Sequence, residues 1–176
     1  QDVITKKIID PFNGITALEK RILEHTSDAF SEDSLRCFRV ARFATRLGFS
    51  ISEETIKLMS TMREELYSLS AERVWKELEK VLEEPKPSTF FIVLREANLL
   101  DVWFPEIASY IGIADRHDNT VWEHIMRVID EADMPLERWC LLLHDIGKPL
   151  TDPSQFPSHF GHAELSEEPI LSLCNR

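Results

Sequence analysis

The sequence predicts a mostly all-α protein. It contains only 5 glycines against 9 prolines in 176 residues, and its strongly periodic segments are rich in Leu, Glu, Lys and Arg, which favours helix over sheet. Segments that alternate between apolar and polar residues, as half-buried strands do, are scarce. A hydrophobic content of 43% allows either one domain or two small ones to bury a core.

A short strand is predicted at the N-terminal end. Residues 3–9 are mostly β-branched or apolar, and residues 10–14 supply turn chemistry directly afterwards. We expect this segment to be the last strand of a preceding domain. Leu18, Ile22 and Leu23 then follow at helical spacing.

The next predicted helix has well-marked ends. Ser31, Glu32 and Asp33 offer a cap and an acidic first turn, the apolar periodicity runs to Leu47, and Gly48 provides a stop.

Three further helices are predicted to begin at serine caps, at Ser52, Ser70 and Ser88. Pro85 ends the second of these, and the third is expected to finish near Asn98.

Helical periodicity resumes after a loop that reaches residue 119. Val121 and Ile125 begin one helix, and Pro135 opens another that leads into His144. We place a domain boundary near residue 112.

Charge and composition restrict the classes of function. Lys+Arg 20 and Asp+Glu 31 give a net charge of −11, so any contact with RNA has to be local, because phosphate affinity depends on clustered positive charge. No run approaches the roughly 20 apolar residues of a membrane span, and no secretion signal opens the chain. Three widely spaced cysteines suit reduced thiols. A cytoplasmic protein without membrane contact is predicted.

Four arginines are aligned on the helix that ends at Leu47. At 100° per residue, Arg39, Arg42 and Arg46 fall within about 60° of one another, with Arg36 beside them. Like charges at this spacing repel, so the row is costly unless phosphates or carboxylates compensate it. Two interpretations are open: an anion-binding surface, or an exposed basic stripe that pairs with the many acids of the chain.

A second group of residues has the chemistry of a metal site. His124 lies on one predicted helix, and His144 and Asp145 end another. Together they can supply three N/O ligands and leave positions open for water and phosphate. The alternative is a helix C-terminus that carries a histidine against its dipole and an aspartate as a cap.

The sequence resembles the family of bacterial CCA-adding tRNA nucleotidyltransferases and poly(A) polymerases (class II) over nearly its whole length. Residues 32–44 closely resemble the E-D-x-x-R…R-x-x-R-F-A segment of these enzymes, and residues 8–14 look like the I-I-D-P-(F/Y)-x-G stretch that ends their catalytic head. Residues 69–78 look like the L-(S/T)-x-E-R-(I/V)-x-x-E segment, and residues 99–107 match the close of the next helix pair.

This resemblance implies three parts. Residues 1–30 would be the end of the nucleotidyltransferase head, with its remnant strand and a connector, residues 31–111 a helical neck with the base-reading helix, and residues 112–176 the first helices of an HD-type domain. By resemblance, Asp33 and Arg36 pair with the incoming base of CTP or ATP, while Arg39 and Arg42 steady the nucleotide and its triphosphate. A guanidinium donates and a carboxylate accepts, which suits the amine and ring nitrogen of C and A.

The C-terminal part resembles the HD phosphohydrolase core that follows the neck in some bacterial CCA-adding enzymes. Residues 139–151 carry the H-D-I-G-K stretch, and residues 157–162 fit the H-x-x-H segment. The resemblance implies His124, His144 and Asp145 as metal ligands, with His144 and Asp145 catalytic. His159 or His162 would contact phosphate or a second ion. Ni²⁺, Mn²⁺ or Co²⁺ are the expected metals, and the family pattern includes one more Asp on a later helix.

Two positions depart from the family pattern. Ala17 stands where the family usually has Asp in G-x-x-D-L, and Ser34 replaces the common Pro of E-D-P-L-R. The lost Asp removes a polar partner from a loop associated with specificity switching. The glycine loop and D-x-D carboxylates of the head, which would hold Mg²⁺ for nucleotidyl transfer, have no counterpart in these residues.

The resemblance implies part of a tRNA CCA-adding nucleotidyltransferase that binds tRNA, CTP and ATP, together with a 2′,3′-cyclic phosphodiesterase or phosphatase activity. Three alternatives are open: a poly(A) polymerase-like RNA-binding neck, a non-catalytic nucleotide- or RNA-binding module, and a stand-alone HD hydrolase. Poly(A) polymerases of this family normally lack the HD motif, so His144 and Asp145 argue against the first of them.

Overall fold

The computed structural model describes residues 8–176. The predicted N-terminal strand over residues 3–9 lies mostly outside the described residues, and Ile8 and Ile9 within them have no regular structure.

Helices dominate the described chain, which confirms the predicted fold class. Short 3₁₀ turns lie at Asp28–Glu32, Lys148–Leu150 and Pro153–Gln155, and two short strands form one parallel pair. The elements are α1 (Gly14–Lys20), β1 (Ile22–Leu23), α2 (Leu35–Leu47), β2 (Ser50–Ile51), α3 (Glu53–Thr61), α4 (Arg63–Leu66), α5 (Ala71–Leu82), α6 (Ser88–Glu96), α7 (Leu100–Trp103), α8 (Pro105–Ala108), α9 (Val121–Glu131), α10 (Pro135–Leu143), α11 (His162–Leu165) and α12 (Glu167–Cys174).

The expectation that Ile22 and Leu23 continue a helix is wrong. Arg21 adopts a left-handed conformation (φ 56°) that ends α1. The chain then extends, and Ile22 and Leu23 pair in parallel with Ser50 and Ile51. Pairing with a segment beyond α2 therefore overrides the local helical spacing.

Helix α2 lies at the centre of the fold and stops at Leu47, as predicted. Its predicted start is wrong: Ser31 and Glu32 lie in the preceding 3₁₀ turn, and the helix begins at Leu35. Gly48 adopts a positive φ of 62° and donates its N–H to Ala44, as a helix stop requires. Cys37, Phe38 and Ala41 are fully buried on the opposite side from the exposed Arg39. Helices α5 and α6 pack against this buried face.

The serine caps were predicted with mixed success. Ser52 caps α3 by accepting the N–H of Thr55, and α5 begins directly after Ser70, as expected. Ser88, in contrast, is the first residue of α6. The carboxylate of Asp130 in α9 caps that helix, because it accepts the backbone N–H of Ser88 at 3.0 Å and the hydroxyl of Ser88 at 2.7 Å. A carboxylate brought in by tertiary packing replaces the expected local cap.

Helices α9 and α10 pack as a pair, with α9 against α6 and α10 against α5. The predicted boundary at residue 112 falls between α8 and α9, and buried apolar residues from both sides of it belong to one continuous core. Across this junction Tyr110 donates its hydroxyl to the carbonyl of Leu142 at 2.9 Å. Within residues 8–176, no helix combines the length and the apolar character that crossing a bilayer requires.

Arg138 of α10 is the main polar link across the same junction. Its side chain is buried and donates to the carbonyls of Ala132 (2.9 Å), Leu82 (2.6 Å) and Glu84 (2.6 Å). These carbonyls lie near the ends of α5 and α9, where backbone acceptors lack helical partners.

Replacing Arg138 by Met should lower the free energy of unfolding by about 3 kcal/mol, because two buried carbonyls and one partly buried carbonyl lose their donor while the volume is kept. Urea unfolding of the variant measures this. Arg46→Met is the control, since Arg46 is 60% exposed at its side chain, and it should change stability by less than about 0.5 kcal/mol. Equal losses in both variants would contradict a specific role for Arg138.

Candidate nucleotide and metal sites

Asp33 lies in extended backbone immediately before α2 and is held from two directions. Its Oδ1 accepts the N–H of Leu35 at 3.1 Å, which caps the start of the helix. Arg73 of α5 donates to both carboxylate oxygens at 3.0 and 2.9 Å. The carboxylate is therefore fixed in position at the helix N-terminus, and part of it still faces solvent.

Arg36 and Arg39 follow on successive turns of α2. The Arg36 guanidinium donates to the carbonyl of Ala29, in the 3₁₀ turn before the helix. Arg39 is exposed. Arg36 and Arg39, three residues apart, thus share one side of the first half of α2, directly after Asp33.

Arg42 is separated from the predicted arginine row. It is buried, and its Nε donates to Glu77 Oε2 of α5 at 2.5 Å. Its guanidinium also lies 4.4 Å from the ring centroid of Phe43. Burial raises the pKa of Glu77, but hydrogen bonds from Arg42 and Lys80 outweigh it, and the net pKa is lowered. Arg42 therefore joins two helices rather than standing in an open basic row.

The three predicted metal ligands come together at the ends of α9 and α10. His144 Nε2 lies 3.1 Å and His124 Nε2 lies 3.7 Å from Asp145 Oδ2. One ligand atom from each residue falls within 4.8 Å of the others. Donors that share one ion at about 2.1 Å lie roughly 3–3.5 Å apart, so this set fits a divalent metal after small adjustments.

The hydrogen bonds of the histidines support the same use. His144 Nδ1 lies 2.7 Å from the carbonyl of Leu141, and His162 Nδ1 lies 2.8 Å from the carbonyl of His159. A carbonyl only accepts, so each Nδ1 carries a proton, and in the neutral ring Nε2 is then the nitrogen with the lone pair that a metal would take. Both Nε2 atoms point to Asp145, His162 at 3.4 Å from Oδ1.

The other predicted contact, His159, is placed away from the site, so the structure does not support its role as a phosphate or metal contact. Its side chain is fully buried, with Nδ1 2.8 Å from the hydroxyl of Thr151 and Nε2 2.7 Å from the carbonyl of Ala114. Both ring nitrogens are occupied, so His159 joins two loops. Of the two candidates in the H-x-x-H segment, the structure brings only His162 to Asp145.

Lys148 compensates the negative charge at the metal site. Its ammonium lies 2.8 Å from Asp145 Oδ2 and 2.5 Å from Asp115 Oδ1, and all three side chains are almost buried. Burial raises the pKa of Asp145, but hydrogen bonds from His144 and Lys148 outweigh it and lower that pKa to about 2. The hydrogen bond from His144 to Asp145 in turn raises the pKa of His144.

Four residues that shape these sites were not predicted. Arg73 and Glu77 lie inside the quoted L-(S/T)-x-E-R-(I/V)-x-x-E segment, and Lys148 inside H-D-I-G-K, but the sequence assigned them no partner. Asp115 stands in a loop without any motif. Their contacts span 33 to 40 positions of the chain, which no local pattern encodes.

Comparisons with known proteins show what this chain is similar to. Residues 48–111 match the family model described as "Probable RNA and SrmB- binding site of polymerase A". The chain is 45% identical over 185 residues to the multifunctional CCA protein of Pseudoalteromonas atlantica, covering 96% of this chain and 45% of that relative. It is 42% identical over 188 residues to the multifunctional CCA protein of Pasteurella multocida, covering 97% and 45%. The chain thus spans less than half the length of these curated relatives.

The fold also matches solved structures. One described as "The complex structure of CCA-adding enzyme with CTP" aligns with a TM-score of 0.59 at 23% identity, covering 94% of this chain and 40% of that one. At this identity the likeness shows a shared fold.

Replacing Lys148 by Met should lower the free energy of unfolding by about 3–5 kcal/mol at pH 7, because two buried carboxylates lose their counter-ion. In the parent, the lowered pKa values of Asp115 and Asp145 give stability that is present above pH 4 and lost as the pH falls toward 2. In the variant, burial keeps the two carboxyls protonated to a higher pH, so its deficit should grow between pH 4 and 7.

Urea unfolding at several pH values measures this deficit, with the exposed Lys57→Met as the matched control. A deficit that is the same at pH 4 and pH 7 would show that Lys148 contributes packing rather than charge.

Proposed function

We propose that this chain, which belongs to the family of bacterial CCA-adding tRNA nucleotidyltransferases and poly(A) polymerases, supplies the base-selecting part of an enzyme that adds C and A to the 3′ end of tRNA. The observation that carries the proposal is the fixed Asp33 and Arg36 pair at the start of α2. In this assignment residues 1–30 end a catalytic head, residues 31–111 form the neck, and residues 112–176 begin an HD domain.

Base selection follows from the chemistry of the two side chains. Asp33 accepts from the exocyclic amine of C or A, and Arg36 donates to the adjacent ring nitrogen. G and U present the opposite pattern of donor and acceptor at these positions. Because Arg73 holds the carboxylate and Ala29 holds the guanidinium, both groups are oriented before the nucleotide arrives. Preorganisation of this kind reduces the entropy lost on binding.

The resemblance assigns Arg39 and Arg42 jointly to the nucleotide and its triphosphate, but the two arginines have different surroundings and would contribute differently. Arg39 is exposed and is available to a triphosphate. Arg42 contributes by holding α2 against α5 through Glu77, and its remaining guanidinium nitrogens are the part that a nucleotide would contact. The Mg²⁺ of nucleotidyl transfer would be bound by the carboxylates of the head, so this chain alone is expected to add no nucleotide.

A second activity is favoured by the convergence of His124, His144 and Asp145. We propose a phosphohydrolase site that acts on a phosphomonoester or a 2′,3′-cyclic phosphate. A divalent ion bound there would activate water and polarise a phosphoryl oxygen. Two imidazoles and one carboxylate favour Ni²⁺, Mn²⁺ or Co²⁺ over Mg²⁺ alone. His162, beside Asp145 Oδ1, is positioned to contact phosphate.

Two other functions are weaker. A poly(A) polymerase-like neck would use the same α2 edge but gives no reason for three metal-type ligands to converge. A non-catalytic nucleotide- or RNA-binding module would use the arginines of α2, but it would not explain why the histidines converge on Asp145. The Nδ1 hydrogen bonds that turn the Nε2 atoms of His144 and His162 toward Asp145 argue against an idle cluster.

Arg36→Ala should relax base choice in an enzyme that carries this chain together with a catalytic head. Loss of one bidentate contact is worth about 1–3 kcal/mol, or roughly 5- to 150-fold in the ratio of kcat/KM for CTP over UTP. Incorporation of each of the four labelled triphosphates into tRNA measures that ratio. Arg46→Ala, an exposed change farther along the same helix, is the control and should leave it unchanged. Unaltered selectivity in Arg36→Ala would assign this arginine a structural role.

His144→Ala should abolish hydrolysis of a 2′,3′-cyclic nucleotide and leave CTP incorporation largely intact. The substitution removes one of three ligands, while the α2 edge is untouched. Both activities are measured on the same two proteins, so CTP incorporation also reports that the variant is folded. Hydrolysis at the parental rate would mean that His144 and Asp145 are structural.

A further inference from the structure

His124 differs from the other two histidines of the metal cluster in what holds its second ring nitrogen. His144 and His162 use backbone carbonyls, whereas His124 Nδ1 lies 3.0 Å from the carboxylate Oδ2 of Asp118. Asp118 stands in the loop before α9 and is itself held by Arg127, whose Nη2 donates to the same oxygen at 2.9 Å. The loop is thereby tied to the helix that carries His124.

The hydrogen bond to Asp118 determines which nitrogen of His124 faces the cluster. An ionised carboxylate only accepts, so Nδ1 carries a proton, and in the neutral ring Nε2 is the nitrogen that keeps a lone pair. That Nε2 is the atom 3.7 Å from Asp145 Oδ2, and the two rings of His124 and His144 lie 5.6 Å apart. Arg127 Nη2 lies 3.4 Å from the same Nδ1, and a guanidinium only donates. Without Asp118, this neighbour would favour the tautomer with the proton on Nε2, which removes a ligand.

A different use of Asp118 is conceivable, because Asp115, Asp118 and His124 also lie close enough to hold an ion. Their charges are already compensated. Asp115 Oδ1 pairs with Lys148 at 2.5 Å, and its Oδ2 accepts the N–H groups of His117 and Asp118. Asp118 pairs with Arg127. A cation entering here would displace two ammonium or guanidinium groups, so this group supports the first cluster rather than forming a second metal site.

We propose that Asp118 is a positioning residue that orients His124 for metal binding by fixing its Nδ1–H tautomer. The inference rests on the proposed metal site, and it adds a residue that the sequence motifs did not mark. Carboxylates that orient a ligating histidine commonly account for 10- to 100-fold in metal affinity.

Two measurements on the whole chain test this. In the metal-free protein, ¹⁵N NMR of the imidazole nitrogens should show His124 as the Nδ1–H tautomer in the parent and as a mixture in Asp118→Ala. Visible absorption on titration with Co²⁺ alone should then show a dissociation constant about 10- to 100-fold higher in Asp118→Ala. Asp118→Asn, which keeps a side-chain acceptor, should recover part of the loss.

Glu131→Ala is the matched control, because Glu131 pairs with the other side of Arg127 and does not touch His124. It should bind Co²⁺ as the parent does, which separates the contact from a general change of charge. The thermal midpoint of metal-free Asp118→Ala should move by no more than about 2 °C, since its surface ion pair contributes little.

An unchanged Co²⁺ affinity in Asp118→Ala, or an equal loss in Glu131→Ala, would overturn the role of Asp118. A parent that binds no Co²⁺ would overturn the proposed metal site itself. The tautomer measurement keeps these failures apart: a parental His124 that is not Nδ1–H refutes the positioning role whether or not metal binds.

Discussion

The buried ion pair between Arg42 and Glu77 is the constraint on which the proposed nucleotide-binding edge of α2 depends. Arg42 Nε lies 2.5 Å from Glu77 Oε2, and this contact joins α2 to α5. Both side chains are buried, and a buried charge is tolerated only when an opposite charge compensates it. A second pair, Asp33 with Arg73, joins the same two helices at the start of α2. These two links fix how α2 is rotated about its axis, and that rotation decides which side chains would face a nucleotide at the proposed edge.

The same pairing of buried charges is compatible with two proposed anion-binding sites in an acidic chain. The net charge is −11, yet the acids at each site are paired with a specific cation, as Asp115 and Asp145 are with Lys148. Local compensation leaves the exposed Arg39 and the Nε2 lone pairs available. The hydrogen bonds of Arg138 join α10 to the end of α5, so the proposed nucleotide edge and the proposed metal cluster lie on one helical body. The two proposed sites share no residue.

Local sequence signals predicted what local physics determines. The helix that ends at Gly48 was predicted with its stop, because a left-handed glycine needs no tertiary partner. The wheel placed Arg42 in an open row, since its partner Glu77 lies 35 positions away. The local pattern likewise predicts a cap at Ser88, whereas the carboxylate that caps α6 comes from Asp130 of α9, 42 positions away. His159 carries the expected spacing, but the fold uses it to join two loops. Burial and partner choice, set by packing, are the parts that spacing does not encode.

A double-mutant cycle on Arg42 and Glu77 tests the central constraint most directly. The free energies of unfolding of Arg42→Met, Glu77→Leu and the double variant are measured by urea titration against the parent. Each single change leaves a buried charge without its main partner, whereas the double change leaves an apolar pair, so we expect the two losses to be non-additive by about 2–3 kcal/mol. Losses that add to within about 0.5 kcal/mol would show that the helices are held by packing alone, and the account of α2 would be wrong.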